Sequence, residues 1–316
     1  MPDLADRPTA RTCFRAGAVL VLAALATACS APATTIPPSN GVPPSSAPSM
    51  PPAASPSSVA GAIDHPTGAT DVILRLEQGG GFVPMEFSAT QAPLFTLYGN
   101  GVIVFQPKTT TFPQPDADGI TKGLAWHTAK LDENQIQDLL AFALGAGGLG
   151  AARDSYPATG VADAPDTIFT VDASGIAKRV VVNALGMDIQ GGQDAGARAA
   201  FGALAARLED IDRGGTIASD VYVAERMRGV LIEAAQPGGR PAVGWPWPSL
   251  VPADFVAGTG DAASGPTLPH RTLDPNEVAA LKLTGIEGGL QGLVLKGPDG
   301  KSYSLILRPL LADEGS

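Results

Sequence analysis

The chain has 316 residues, 44% of them hydrophobic and 16% charged, which is enough for one or two domains with a hydrophobic core. Its formal net charge is −10. Because an acidic chain without clustered Lys and Arg cannot neutralise phosphates, we predict no nucleic-acid partner and no adhesion to anionic lipid by charge alone.

Residues 1–28 predict a signal peptide. Three arginines precede the apolar run AGAVLVLAALATA, which is shorter than the roughly 20 apolar residues that span a bilayer. The small residues Ala26, Thr27 and Ala28 then stand at a cleavage site before Cys29. Two interpretations share this site. In a lipobox, whose pattern is incomplete here because Leu25 lies four residues before the cysteine instead of three, Cys29 receives a lipid such as palmitate. The alternative is an ordinary secretory site.

Residues 29–66 are expected to begin with the lipidated Cys29 and to continue as a tether. The stretch from Ser30 to Ala60 contains nine prolines, no charged residue and no apolar periodicity. Such a composition cannot bury a core and favours an extended chain of roughly 3 Å per residue, or on the order of 90 Å in all. We therefore expect the folded part to stand away from the outer face of the cell membrane, anchored by the lipid.

Residues 67–214 are expected to form a first unit of antiparallel sheet covered by helix. Alternation of apolar and polar residues predicts strands at DVILRLEQ and AWHTAKL, and hairpins at LFTLYGNGVIVFQ and DTIFTVDASGIAKRVVVNAL. Helical spacing predicts helices at LDENQIQDLLAFAL and DAGARAAFGALAARLEDI. In the first helix Asp132 and Gln135 have the spacing of a capping box. The glycine-rich stretch EQGGGFVP at 77–84 is predicted to end a strand as a flexible loop with no helix after it.

Residues 215–316 are expected to form a second unit of the same kind. They contain a strand at RMRGVLIEAA, a short helix at LDPNEVAALKL and a hairpin at LQGLVLKGPDGKSYSLILRPLL. The pattern L-D-x-N occurs at the start of both predicted helices, beginning at Leu131 and at Leu273. The predicted fold class is therefore α+β with two related units. A chance likeness of helix starts in an Ala- and Leu-rich chain is the alternative to a repeat.

Two glycine-rich stretches resemble nucleotide-binding motifs. GAGGLG at 145–150 matches G-x-G-x-x-G, which functions only between a strand and a helix. Here it follows a predicted helix and precedes a loop, so we interpret it as a helix exit in which Gly145 takes a left-handed conformation. GPDGKS at 297–302 lacks the first glycine of a phosphate loop and joins two predicted strands. We therefore predict no nucleotide cofactor.

Catalytic and metal-binding signatures are also missing from the sequence. Its three histidines, His65, His127 and His270, lie far apart, and neither cysteine belongs to the predicted folded part. No nucleophile motif of the G-x-S-x-G or S-x-x-K type is present. We predict no catalytic residue, no metal site and no cofactor, while a hydrolase that uses carboxylates or His127 is the alternative.

The segment VGWPWPSLVP holds Trp245 and Trp247 between prolines. One interpretation is that the two indoles cover the core of the second unit. The other is a rigid aromatic surface for a cell-envelope protein, a peptide or a glycan, because indoles give a large contact area at little entropic cost.

At RLEQGGGFVP, FTLYGNGVIVF and YPATGVADAPDTIFTV the chain resembles a group of uncharacterised secreted lipoproteins of high-GC Gram-positive, actinobacterial-type bacteria. These proteins share the Gly-Gly-Gly-Phe-Val-Pro run and a Leu-Tyr-Gly-(Asp/Asn)-Gly hairpin, and a Trp-Pro segment near their second half. The resemblance covers most of residues 71–310 and implies no activity. Together with the export signal it leads to the expectation of a membrane-tethered, non-enzymatic extracellular lipoprotein, with a cell-wall-directed hydrolase as the alternative.

Overall fold

The computed structural model describes residues 61–187, 194–213, 216–234, 241–258 and 268–314. The predicted signal peptide, Cys29 and nearly all of the tether lie outside these described residues. In the described ranges no helix is long and apolar enough to cross a membrane.

The first sheet has eight strands and is built from the first two thirds of the chain. The strand order is β6-β8-β7-β1-β2-β3-β5-β9, and every neighbouring pair is antiparallel except β6 with β8. The strand bounds are β1 Val72–Gly80, β2 Phe95–Tyr98, β3 Val102–Phe105, β5 His127–Lys130, β6 Ser155–Tyr156, β7 Pro165–Ala173, β8 Ile176–Asn183 and β9 Asp220–Val221.

The second sheet has seven strands and comes mainly from the C-terminal third. Its order is β11-β14-β15-β10-β13-β12, and β4 pairs with β14 beside this path. The strand bounds are β4 Thr121–Lys122, β10 Met227–Glu233, β11 Val243–Gly244, β12 Val256–Ala257, β13 Pro269–Leu273, β14 Leu290–Lys296 and β15 Ser302–Pro309.

Four α-helices are found in the described residues: α1 Met85–Thr90, α2 Glu133–Leu144, α3 Ala195–Glu209 and α4 Pro275–Ala279. The capping box predicted for α2 is confirmed, because Asp132 accepts from the backbone N–H of Gln135 while Gln135 accepts from that of Asp132, each at 2.9 Å. The prediction that no helix follows residues 77–84 is wrong. The short helix α1 follows Pro84 and packs against β15.

GAGGLG is a helix exit, as predicted, but its left-handed residue is not Gly145. That glycine has φ −89°, and Gly148 has φ +82°. The N–H of Gly147 bonds to Phe142 O at 2.7 Å and that of Gly148 to Gly145 O at 3.0 Å. These bonds form additional turns after the helix, and the left-handed residue Gly148 follows them. A short 3₁₀ turn, Leu149–Ala151, follows in place of the helix that a dinucleotide site requires.

Side chains on the two faces of the first sheet enter different cores. On β2, Phe95 and Leu97 pack with α2 and α3 in the main core, while Thr96 and Tyr98 point to the opposite face. Tyr98 belongs to a small core that also contains Val104, Trp126 and Leu311. A third core lies under the second sheet and contains Trp247, Phe255 and Leu273, with α4 against it. The fold is therefore α+β and mainly sheet, which confirms the predicted class at this level.

The structure does not confirm a repeat. Strand β5 leads into the capped helix α2, and β13 leads into the capped helix α4, as the recurrence predicts. In the first sheet, however, the hairpin that follows places its first strand, β7, beside β1. In the second sheet it places its second strand, β15, beside β10. The hairpins are thus arranged in opposite order.

Two short strands cross the division expected at residue 215. Strand β4 adds to the second sheet, where Thr121 and Lys122 pair with Gln291 and Leu290. Strand β9 adds to the first sheet beside β5. Next to β4 the backbones almost touch, since a Cβ on Gly123 would lie 2.1 Å from the carbonyl oxygen of Gly288.

Candidate ligand-binding groove

A groove of about 470 Å³ lies where the strands of the two sheets meet, a volume in the range of ligand sites. Two stretches of the chain line it, one from Gln78 in β1 to Trp126 and the other from Gly288 to Leu307 in β15. We call it the interface groove; its lining residues are Gln78, Phe87, Thr90, Gln91, Ala92, Leu94, Gln106, Phe112, Pro113, Thr121, Gly123, Leu124, Trp126, Gly288, Leu290, Gln291 and Leu307.

The interface groove has an apolar floor and an aromatic rim. Leu290, Leu307 and Trp126 are buried, and the indole N–H of Trp126 donates to Pro93 O, which fixes the ring. By contrast, Phe87 is 47% and Phe112 73% exposed. Exposed phenylalanines beside an apolar cleft leave apolar surface in water that a ligand can cover.

Four glutamines supply most of the polar side-chain atoms of the interface groove. Gln291 donates from Nε2 to Thr90 Oγ1 at 2.9 Å. Within the described residues, the side-chain amides of Gln78, Gln91 and Gln106 have no hydrogen-bond partner. Each carries two N–H donors and a carbonyl acceptor that a ligand can engage.

Among the described residues that line the interface groove none is charged, although the whole chain has a net charge of −10. A charged ligand would lose hydration here without gaining an opposite charge. The lining therefore favours an uncharged ligand with apolar groups and with amide or hydroxyl groups to pair with the glutamines.

Two other clefts are built differently. One, of about 670 Å³, lies at α2 and α3, where Arg207 stacks over Phe142 at 4.4 Å and the remaining charged side chains, Asp138, Asp210 and Arg213, are exposed. The other, of about 600 Å³, runs along β14 beside Trp245. Neither brings unpaired amides to an apolar floor as the interface groove does.

The structure places Trp245 and Trp247 in the second sheet's core. Trp247 is only 3% exposed, and its indole N–H donates to Glu277 O at 2.7 Å. Trp245 is half-buried, donates to Leu250 O at 2.8 Å, and contacts Trp247 edge to face. This placement corresponds to the interpretation in which the indoles cover the core. An exposed pair is not present, because Trp247 is enclosed, and only part of Trp245 reaches the cleft along β14.

The three histidines are not brought together. His65 contacts Pro66 O and Glu133, and His270 contacts Leu268 O. His127 is 3.0 Å from Ser219 Oγ through Nδ1, but among the described residues no carboxylate lies within 4.0 Å of its ring nitrogens. Nor does the described part of the chain contain a group of three His, Cys, Asp or Glu side chains that could hold a metal ion.

A cluster of charged residues ties the C-terminal turn to the sheets. Burial alone would raise the pKa of Asp313, but hydrogen bonds from Arg75 and Tyr98 outweigh it and hold that pKa below its ordinary value. Burial and the bond to Asp313 raise the pKa of Tyr98. Glu314 likewise has a lowered pKa because two hydrogen bonds from Arg308 outweigh burial. Since each of these carboxylates is paired with an arginine, we assign the cluster a structural role.

The chain matches no family model, no curated protein and no solved structure.

Proposed function

We propose that the chain is a membrane-tethered extracellular lipoprotein that acts by binding an uncharged ligand in the interface groove. One observation carries the binding role. Three unpaired glutamine amides surround an apolar floor, with Phe87 and Phe112 exposed at the rim. A groove of this kind would remain wetted apolar surface unless a ligand covers it.

The anchoring part of the proposal is supported by sequence features alone. The short apolar run before Cys29 and the charge-free, proline-rich stretch after it are those of a lipid-anchored tether. Membrane fractionation tests it: the native chain is expected in the membrane pellet and a Cys29→Ala chain in the soluble fraction. A Cys29→Ala chain that stays in the pellet overturns the lipid anchor.

Ligand binding is tested with Nile red, an uncharged apolar dye, on the full chain carrying Cys29→Ser. We expect the fluorescence titration to saturate and Phe112→Ala to weaken binding about tenfold, because a buried phenylalanine contact is worth about 1.5 kcal/mol. Phe82→Ala is the matched control, since Phe82 is 90% exposed but lies outside the groove lining. Equal affinities of the two variants would contradict binding in the interface groove.

A cell-wall-directed hydrolase is the second candidate function, and the contact between His127 and Ser219 favours it. Release of soluble fragments from purified peptidoglycan, lost in both His127→Ala and Ser219→Ala, would establish it. Activity that persists in both variants excludes this pair as nucleophile and base.

A further inference from the structure

The edge of β1 that borders the interface groove is free. Strand β1 pairs with β7 as far as Gly80, but its pairing with β2 stops at Leu76 and Phe95. From Glu77 to Gly80 no strand of the described chain lies on that side. A free strand edge presents unpaired N–H and C=O groups to any extended chain beside it.

The peptide groups of Gln78 are directed to this free side. The carbonyl of Leu76 points toward β2, because it accepts from the N–H of Leu94 at 2.9 Å. Alternate residues of a strand direct their peptide groups to the same side, so the N–H and C=O of Gln78 point past the start of β2. Gln78 itself lines the groove. The groove therefore holds a main-chain donor and acceptor as well as the side-chain amides.

We propose that the interface groove binds an extended, uncharged peptide segment of another protein, which pairs with β1 at Gln78. The proposal rests on the binding role given above and names its ligand. An extended segment needs partners for its own peptide groups, and Gln78, Gln91 and Gln106 supply them. Its apolar side chains lie on Trp126 and the leucines of the floor.

Charge and shape favour a peptide over the other uncharged ligands. The described lining residues offer no carboxylate or guanidinium, so the segment carries no charge at the positions that they contact. Glycans present hydroxyl groups that need many polar partners, whereas this floor is apolar. An acyl chain has no hydrogen-bonding groups, so it would leave the three amides and the free strand edge without partners.

Competition against Nile red on the full Cys29→Ser chain tests the proposal. The probe is a library of N-acetylated, C-amidated hexapeptides composed of uncharged residues. We expect some of them to displace the dye, and the best of them to lose at least tenfold in affinity when its alternate backbone nitrogens are methylated. Gln106→Ala is expected to weaken the peptide several-fold more than it weakens Nile red, whereas Phe82→Ala, outside the groove lining, leaves both affinities unchanged.

The outcomes separate this proposal from the binding role. If Nile red binds in a Phe112-dependent way but no hexapeptide displaces it, the peptide proposal fails and the groove remains a binding site. Displacement by chitohexaose or by mono-oleoylglycerol instead assigns the groove to a glycan or a lipid. Equal affinities of the methylated and unmethylated peptides overturn pairing with β1. Failure of Nile red itself to bind in the groove overturns the proposed function.

Discussion

Nη2 of Arg75 donates a hydrogen bond of 2.6 Å to Oδ1 of Asp313, although 238 residues separate them in the chain. The same carboxylate oxygen accepts a bond of 2.6 Å from the hydroxyl of Tyr98. Arg308, on β15, donates two bonds to Glu314, the residue after Asp313. The C-terminal turn thus joins the first sheet to the second at the face opposite the main core.

Replacing Asp313 by Asn is expected to lower the free energy of unfolding by about 3 kcal/mol at pH 7, because the mostly buried guanidinium of Arg75 loses its counter-charge. The pKa of Asp313 lies below its ordinary value of about 4 in the folded chain. Its contribution is therefore complete above about pH 5 and is lost as the pH falls through the folded-state pKa. Urea unfolding of both chains between pH 3 and pH 8 measures the difference.

Asp118→Asn is the control for this pH series, since Asp118 lies on an exposed loop. It should leave the free energy of unfolding within about 0.5 kcal/mol of the native value at every pH. A difference for Asp313→Asn that stays constant from pH 3 to pH 8 would show that charge on Asp313 contributes nothing.

Two Gly→Ala substitutions should have opposite effects on stability. At Gly123 the added methyl would lie 2.1 Å from the Gly288 carbonyl oxygen, so the backbones beside the β4–β14 pairing must move apart, at a cost of about 3 kcal/mol. At Gly202, inside α3, a Cβ meets nothing within 4 Å, and we expect a gain of about 1 kcal/mol from helix propensity. Thermal unfolding followed by circular dichroism gives both signs. Two shifts in the same direction would contradict the close backbone approach between Gly123 and Gly288.

The elements that the sequence predicted correctly carry strong local signals. The β2–β3 hairpin has a turn glycine, Gly101, with φ +84°, and α2 has a capping box. Helix α1 was missed because it has six residues, follows three glycines and is stabilised by packing against β15. The interface groove was also missed. Its lining residues are separated by up to 229 positions, from Gln78 to Leu307. A local sequence pattern cannot predict that residues so far apart in the chain line one groove.

The two tryptophans Trp245 and Trp247 also show that local sequence does not determine the role of a residue whose contacts are distant in the chain. The spacing of Trp245 and Trp247 between prolines is compatible with both a surface and a lid, since either role needs large apolar area. The hydrogen bond from the Trp247 indole to Glu277 O distinguishes the two roles, because it holds the indole inside the core. Glu277 lies 30 residues further along the chain, so no local motif predicts this contact.

Truncation of Trp247 should therefore affect stability. We expect Trp247→Ala to lower the free energy of unfolding by about 3–5 kcal/mol, because a buried indole leaves a cavity. Trp247→Phe should cost about 1–2 kcal/mol, since the carbonyl of Glu277 loses its donor. Val223→Ala is the exposed control, as Val223 is 74% accessible. If Trp247→Ala unfolds at the same urea concentration as this control, the indole is not part of the core.

The two capped helix starts provide a last prediction. Asp274 accepts from the backbone N–H groups of Asn276 and Glu277 at 2.8 Å, whereas Asp132 accepts from Gln135 alone. Removing a cap costs about 1 kcal/mol in a helix that has other support, which α2 has through its packing on the main core. Helix α4 has only five residues and no buried residue of its own, so its cap carries more of its stability. We expect Asp132→Ala to cost about 1 kcal/mol and Asp274→Ala about 2 kcal/mol, measured by urea unfolding.

Asn is as good an N-cap as Asp, so Asp132→Asn and Asp274→Asn should recover most of each loss. The control Asp138→Ala, on the exposed face of α2, should leave stability unchanged or slightly raise it. Equal losses in the two Ala variants would indicate that α4 is held by its neighbours rather than by its cap. That result would make the two helix starts energetically alike, as the shared L-D-x-N pattern suggests, despite the opposite order of the hairpins that follow them.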